Sequence, residues 1–312
     1  MQNYLPMNAA ALMDRVFDLY KATFKMQIAF SLIIGIISFI LMMILGIAMV
    51  VVTIGAIGIT AGVGGVADEY AAVLMAVTLV LLGMLPLYMA WIYLSASGHI
   101  LISKQAFYGE VPRLPFRELF SAFLRIMSAG LAQIILSLPW VAVIGVMIYF
   151  AVAGYGDAFE FIFMIPPWVL VVGSIIYALL YIVYSNIFAL SIPAALFEGR
   201  VFFGSIVRSL QLMRGDFWRI LGLRLLWALL VFLFSYSAQG LVVGVVGILA
   251  HSAGTVLAFA ELWAATGILQ FYASLAVSIL VGPMEGIMTA LIYFNQRIKK
   301  DGLDIEIGLS QL

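Results

Sequence analysis

The chain has 312 residues, 65% of them hydrophobic and 10% charged, with a mean hydropathy of +1.19. A soluble domain carries about 25% charged residues, so this composition excludes a water-covered globule of this length and leaves lipid as the solvent. Net charge is zero and cysteine is absent, which excludes disulfide frameworks and thiolate chemistry.

The zero net charge hides a strong asymmetry. The fifteen Lys and Arg residues fall in four clusters: Arg15, Lys21, Lys25; Lys104, Arg113, Arg117, Arg125; Arg200, Arg208, Arg214, Arg219, Arg224; and Arg297, Lys299, Lys300. The polar interruptions of the intervening apolar stretches carry Asp68, Glu69, Asp157, Glu160 and Glu261 and no basic residue. Basic residues resist translocation and stay cytoplasmic. The pattern predicts six membrane spans, both termini in the cytoplasm, and a multi-pass protein of the plasma membrane. We treat residues 1–312 as one polytopic domain, since no connection is long enough for an independent core.

In chain order, residues 12–25 are amphipathic at helical spacing. Leu12, Met13, Val16, Phe17, Tyr20 and Phe24 oppose Asp14, Arg15, Asp18, Lys21 and Lys25. Span one covers 26–52 and is much longer than the ~7–15-residue apolar core of a signal peptide, so it is read as retained. Residues 53–67, with Gly55, Gly58, Gly62, Gly64 and Gly65, are too glycine-rich for a regular helix and are expected to form an outer loop. Span two covers 71–102, contains Pro86, and ends near Ser97, Gly98 and His99. A second amphipathic stretch, 116–125, sets Phe116, Leu119, Phe120, Phe123 and Leu124 against Arg117, Glu118, Ser121 and Arg125. Span three (124–153) holds Gln133 and Pro139; span four (166–195) holds Asn186 and Pro193. A third amphipathic stretch, 202–214, sets Phe202, Phe203, Ile206, Val207, Leu210 and Met213 against Ser205, Arg208, Gln211 and Arg214. Span five (218–250) holds Arg224 and Gln239, and the apolar stretch 244–260 is expected to cap the outer face. Span six (266–296) holds Gln270, Pro283 and Glu285.

A weak threefold repeat organises these parts. Each unit is an amphipathic cytoplasmic helix, a span out, a loop, a span back, and a turn-forming pair: Gly109-Glu110, Glu198-Gly199 or Asp301-Gly302. The units are 8–112, 113–200 and 201–312, which gives an all-α integral membrane fold of three hairpins. Amphipathic helices of this kind lie in the interface plane. The basic residues Arg15, Lys21, Lys25, Arg117, Arg125, Arg208, Arg214 and Arg219 would form a cytoplasmic collar, able to bind anionic lipid headgroups at about 1 kcal/mol each. Trp91, Trp168 and Trp218 stand near span ends, as interfacial anchors do.

Two segments carry a resemblance. In 195–226, Glu198, Arg208, Ser209, Leu212, Gly215, Phe217, Trp218 and Arg219 fit a Glu, Arg-Ser-x-x-Leu, Phe-Trp-Arg pattern. In 289–307, Tyr293, Arg297, Lys299 and Gly302 fit the tail that follows a last span, with Asn295 and Asp301 standing where Asp and Glu are frequent. The chain resembles bacterial six-span membrane proteins of the glycerophosphoryl diester phosphodiesterase membrane-domain type, whose opening also fits residues 13–24. The resemblance implies the six-span fold. It implies no phosphodiesterase activity, because the catalytic domain fused to some members is absent here.

Recognisable chemistry is sparse. There is no H-E-x-x-H pair, so no metal and no cofactor is expected. Ser97 and His99 are two residues apart on a helix, poor geometry for a nucleophile and its base. Glu285 is the one deep acid, about 15 Å into span six, where a charge costs roughly 3 kcal/mol or more. It pairs with Arg224 and locks the last hairpin, serves a proton- or substrate-linked site, or is protonated or reaches water. Gln133, Asn186, Gln239 and Gln270 join helices by hydrogen bonds or line a substrate path. Nucleic acid is excluded as a partner by the interspersed membrane. The expected function is a non-enzymatic membrane module acting through a lipid, membrane-protein or cytoplasmic-protein partner. The alternative is a transporter or exporter subunit for a lipid-like or amphipathic substrate.

Overall fold

The computed structural model describes residues 6–60, 89–153, 167–252, 266–303 and 305. Among them there are helices and turns and no strand. The helices are α1 (Ala9–Thr60), α2 (89–107), α3 (Phe116–Ala153), α4 (Pro167–Asn186), α5 (Ser191–Phe197), α6 (Phe203–Met213), α7 (Phe217–Ser252) and α8 (Gly267–Asp301). Among the described residues, five stretches are long and apolar enough to cross a bilayer: Ala9–Ala48, Phe116–Trp140, Val172–Phe197, Phe217–Ser252 and Leu269–Asp301. A helical multi-pass membrane protein is the class that follows. Most of expected span two, with Pro86, and the outer acids Asp68, Glu69, Asp157, Glu160 and Glu261 lie outside the described residues.

Several boundaries differ from the sequence reading, each for a local reason. Residues 12–25 and 116–125 are not separate interfacial helices. They run unbroken into their spans within α1 and α3, because no Gly, Pro or capping residue interrupts either junction. The helix of α1 also continues through Gly55 and Gly58 to Thr60, where a loop was expected; 61–67 lie outside the described residues. Flanking Ile, Val and Ala residues and an apolar surrounding favour the internally bonded helix over exposed backbone. Of the stretch 244–260, residues 244–252 are the end of α7 and 253–260 lie outside the described residues. At 52 residues, α1 is about 78 Å long, well beyond the roughly 30 Å hydrocarbon core. It starts where Asn8 Oδ1 accepts the Ala11 amide (2.8 Å), an N-cap.

Span four is broken. Pro193 has no N–H and its ring crowds the preceding turn. The amides of Ile187, Phe188 and Ala189 turn to acceptors three residues back, Tyr184, Ser185 and Asn186, and α5 starts afresh at Ser191. Pro139 and Pro283, by contrast, sit inside continuous helices. Each has a tyrosine hydroxyl on the carbonyl three residues before it. Tyr184 Oη donates to Leu136 (2.6 Å) and Tyr20 Oη to Leu280 (2.6 Å). Helix stops are marked by Gly109 (φ 77°), Gly199 (φ 69°), Gly215 (φ 92°) and Gly302 (φ 67°), left-handed positions that suit glycine.

The chain divides into two compact units. Unit one comprises Met1–Leu12, Ser121–Leu225 and Leu291–Leu312. Its core includes Ile126, Ala129, Ala132, Leu190, Ala194, Leu212, Met213, Leu291 and Phe294. Phe197 stacks on Phe294 at 5.3 Å, and Trp140 packs edge-on to Tyr177 at 5.2 Å. Unit two comprises Met13–Phe120 and Leu226–Ala290. Its core includes Val16, Phe30, Ile100, Ile102, Ile287 and Met288. There the Phe30 ring lies against Gly98, and Gly286 lies against His99, so α1, α2 and α8 approach closely.

Candidate functional site

A network of charges closes one end of unit one. It is built from α6, the turn after α5 and the end of α8. Glu198 is the hub. Arg208 Nε donates to both its oxygens (2.9 and 2.7 Å), and Tyr293 Oη donates to Oε1 at 2.8 Å. Arg297 Nε stands 4.0 Å and Arg200 Nε 3.8 Å from the same carboxylate. Arg208 also pairs with Asp301, which Arg297 reaches from one turn away at 3.3 Å. Burial works against the Arg208 charge, but the hydrogen bonds and charges of Glu198 and Asp301 raise its pKa above that of an ordinary arginine. Ion pairs this exposed contribute ~0–1 kcal/mol singly; a closed network is the arrangement that adds up.

Asp216 forms a second node. Lys299 Nζ donates to it at 2.9 Å and Gln296 Nε2 at 3.0 Å. The Lys299 hydrogen bond holds the Asp216 carboxyl below its usual range, against the opposing effect of partial burial, with Gln296 adding to it. Lys300 Nζ donates to the carbonyls of Gln211 (2.9 Å) and Arg214 (2.5 Å), the open end of α6. Asn295 Oδ1 accepts the Met7 amide (2.8 Å), and Arg219 Nη2 donates to the Met7 carbonyl (3.1 Å). The two sequence segments that carry the family resemblance therefore converge here, although Glu198 and Tyr293 are 95 residues apart. Sequence reading placed Arg208 on a polar helix face and in a lipid-binding collar and Glu198 and Asp301 in turns, without pairing them. The resembling segments themselves were the one signal that pointed to a joint site.

The helix α6 divides differently from its sequence pattern. Ser205, Ile206, Ser209, Leu212 and Met213 are buried, while Phe203 (41%), Val207 (52%) and Leu210 (43%) are exposed. Ser205, expected on the polar face, thus faces protein, as does Ser209. Ser209 Oγ donates to the Ile187 carbonyl (2.7 Å) and accepts the Leu190 amide (3.1 Å), filling the helix break that precedes Pro193. The residue before α6, Phe202, has φ 48°, a strained value for a side-chain-bearing residue. Its amide donates to Ser128 Oγ at 3.2 Å.

The expected intramembrane polar set is distributed over both units. In unit one, Gln133 Nε2 donates to Ser191 Oγ, and Arg224 Nη1 donates to Asn186 Oδ1 at 3.2 Å. In unit two, Gln239 Nε2 donates to Ser274 Oγ (3.0 Å) and Gln270 Nε2 to Thr266 Oγ1 (2.5 Å). Glu285 is exposed and forms no ion pair among the described residues. His99 Nδ1 lies 2.7 Å from Gln27 Oε1, whose amide nitrogen reaches Ser103 Oγ at 3.3 Å. An amide partner offers no charge to polarise an imidazole, so this buried cluster ties α1 to α2. In the expected collar, Lys21, Lys25, Arg117, Arg214 and Arg219 are exposed, and Arg15, Arg125 and Arg208 are half-buried. Among the described residues no three His, Asp or Glu side chains are grouped to hold a metal ion.

Compared with family models, curated proteins and solved structures, the chain matches none of them.

Proposed function

We propose that this protein is a non-enzymatic membrane module that acts through a partner engaged at its cytoplasmic face. The arrangement is six spans in three hairpins with a threefold repeat, both termini on the cytoplasmic side of the plasma membrane, as in the membrane-domain proteins it resembles. Of the four left-handed glycines among the described residues, Gly109, Gly199 and Gly302 stand at the same point of each repeat, which supports it, while Gly215 follows α6. The observation that carries the function is α6. Its one charge, Arg208, is engaged by Glu198 and Asp301 and its Ser209 hydroxyl by the break before Pro193, while Phe203, Val207 and Leu210 are left facing outward beside Gln211 and Arg214. An apolar face flanked by basic residues suits a bilayer surface or a protein that docks at one.

Capture from native membranes, followed by mass spectrometry of proteins and lipids, tests this. The wild type is compared with a Val207→Glu, Leu210→Glu variant, which leaves every charge of the network in place. A partner enriched with the wild type and lost from the variant is expected. Equal recovery from both sinks the proposal. A transporter of an amphipathic substrate is the second reading, favoured by the exposed carboxylate of Glu285 on a membrane-crossing helix.

A further inference from the structure

The Glu198 network holds more positive charge than its carboxylates neutralise. Arg200, Arg208 and Arg297 each stand within 4.0 Å of Glu198, and Arg208 and Arg297 also reach Asp301. A fourth guanidinium, that of Arg125 on α3, lies against the same turn: a Cβ on Gly199 would be 3.5 Å from its Nη1. Among the described residues, four guanidiniums thus face two carboxylates, an excess of two positive charges. The Glu198 oxygens are taken by Arg208 Nε (2.9 and 2.7 Å) and Tyr293 Oη (2.8 Å). Arg200 Nε, at 3.8 Å, is beyond hydrogen-bond reach of them, and its side chain is 59% exposed. Arg125 is half-buried and pairs with no carboxylate among the described residues. A guanidinium only donates, so what these two arginines lack is an anionic acceptor. Both side chains are open enough for one to reach them from outside.

Placement narrows the ligand. Glu198 directly follows Val172–Phe197, a stretch able to cross a bilayer, and Arg125 belongs to another, Phe116–Trp140. The two arginines therefore meet where spans three and four reach the surface. Exposed apolar side chains adjoin both: Leu124 (79%) precedes Arg125 and Val201 (54%) follows Arg200. A small hydrated anion has no use for such neighbours, whereas a phosphate that carries acyl chains does. Arginine also matches phosphate oxygens with its planar fork of donors. We infer that Arg125 and Arg200, converging on the turn at Gly199, bind the phosphate of an anionic phospholipid in the cytoplasmic leaflet. Of the expected basic collar this site keeps Arg125, adds Arg200 and leaves out Arg208, which Glu198 and Asp301 already hold. It rests on the cytoplasmic placement proposed above but not on the outward face of α6.

The test removes both charges, in an Arg125→Gln, Arg200→Gln variant. An Arg113→Gln, Arg117→Gln variant loses the same charge from exposed positions and is the control. Each protein is placed in nanodiscs of phosphatidylcholine with phosphatidylglycerol, and retained lipid is counted by native mass spectrometry after detergent release. Retention of phosphatidylglycerol is expected to fall about tenfold in the first variant, equivalent to ~1.4 kcal/mol. In the control, whose arginines are exposed and screened, it should fall by about twofold or less. Retention of phosphatidylcholine should not change in either. Equal retention of phosphatidylglycerol in wild type and first variant overturns the inference. So does an equal loss in both variants, which net charge alone would explain. Thermal protection of the lipid-free protein by inorganic phosphate as strong as that by phosphatidylglycerol would overturn the lipid assignment. Should the double variant not fold, Arg200→Gln decides, because its side chain is largely exposed: a loss of about threefold is expected, and unchanged retention overturns the inference. The Val207→Glu, Leu210→Glu variant keeps both arginines and should retain phosphatidylglycerol, so this site and the α6 surface fail separately.

Discussion

Gly286 has no room for a side chain. A Cβ there would overlap the Cβ of His99 and lie 3.3 Å from its carbonyl carbon, and backbone cannot rotate aside as a side-chain tip can. Gly98 is filled in the same way by the Phe30 ring. Overpacking a closed contact costs about 1–3 kcal/mol, so Gly286→Ala is expected to lower the melting temperature in detergent by several degrees. Gly240→Ala is the matched control, since nothing lies within 4 Å of its added methyl. It is expected to be neutral or slightly stabilising through helix propensity. An equal loss in both would place the effect in the helix backbone rather than at the His99 contact. These glycines were not legible as contacts from sequence, because the residue that fills each notch sits on another helix at no fixed spacing. The buried amides were legible as residues, but their partners were not. A polar side chain in an apolar run announces that it needs a hydrogen bond, and only the fold says whether Ser191, Ser274, Thr266 or Arg224 provides it.

Proline organises the elements. In α3 and α8 a helix runs through its proline, with a tyrosine hydroxyl on a carbonyl in the opened turn. Ahead of Pro193, itself inside α5, the helix breaks at 187–190 instead, and the hydroxyl comes from Ser209 of α6. This couples an amphipathic helix to the break in a membrane-crossing stretch. Ser209→Ala removes a donor to Ile187 and an acceptor from Leu190, leaving both backbone groups unpaired at a cost of about 1–3 kcal/mol. Amide exchange at 187–191 is expected to quicken by roughly ten- to a hundredfold while α7 keeps its protection. Unchanged exchange there would show that the break is stable without the serine. The helical period of residues 202–214 was legible, and α6 is there. The choice of buried face was not. Polarity alone assigns a serine to the outward face of an amphipathic helix, yet Ser205 and Ser209 are buried because their hydroxyls satisfy backbone carbonyls at Phe202 and Ile187. The expected breaks after residues 25 and 125 failed for the converse reason. A change from amphipathic to wholly apolar pattern alters what surrounds a helix without ending it.

At the scale of the whole chain, composition carried the class. A sequence 65% hydrophobic with 10% charge has to fold in lipid, and helices satisfy their own backbone there. The placement of the fifteen basic residues goes further than the class, because it assigns a side to every connection. Arg208, Arg297, Lys299 and Lys300 are engaged with Glu198, Asp216, Asp301 or helix-end carbonyls within unit one. The absence of native cysteine makes the topology directly testable by single-cysteine labelling. With a membrane-impermeant maleimide added to intact cells, Asp157→Cys is expected to react and Glu110→Cys is not. Inverted vesicles should reverse the order. Labelling of both from the same side would remove the six-span topology, and with it the cytoplasmic placement of α6 on which the proposed partner surface depends. Moving charge provides the causal version of the same experiment. Two lysines introduced beside Asp157, combined with Arg113→Gln, Arg117→Gln and Arg125→Gln, would weaken the bias that holds the hairpin of spans three and four. The Asp157→Cys signal should then fall in intact cells and appear in inverted vesicles. If it stays where it was, the neighbouring hairpins rather than the local charges set the orientation.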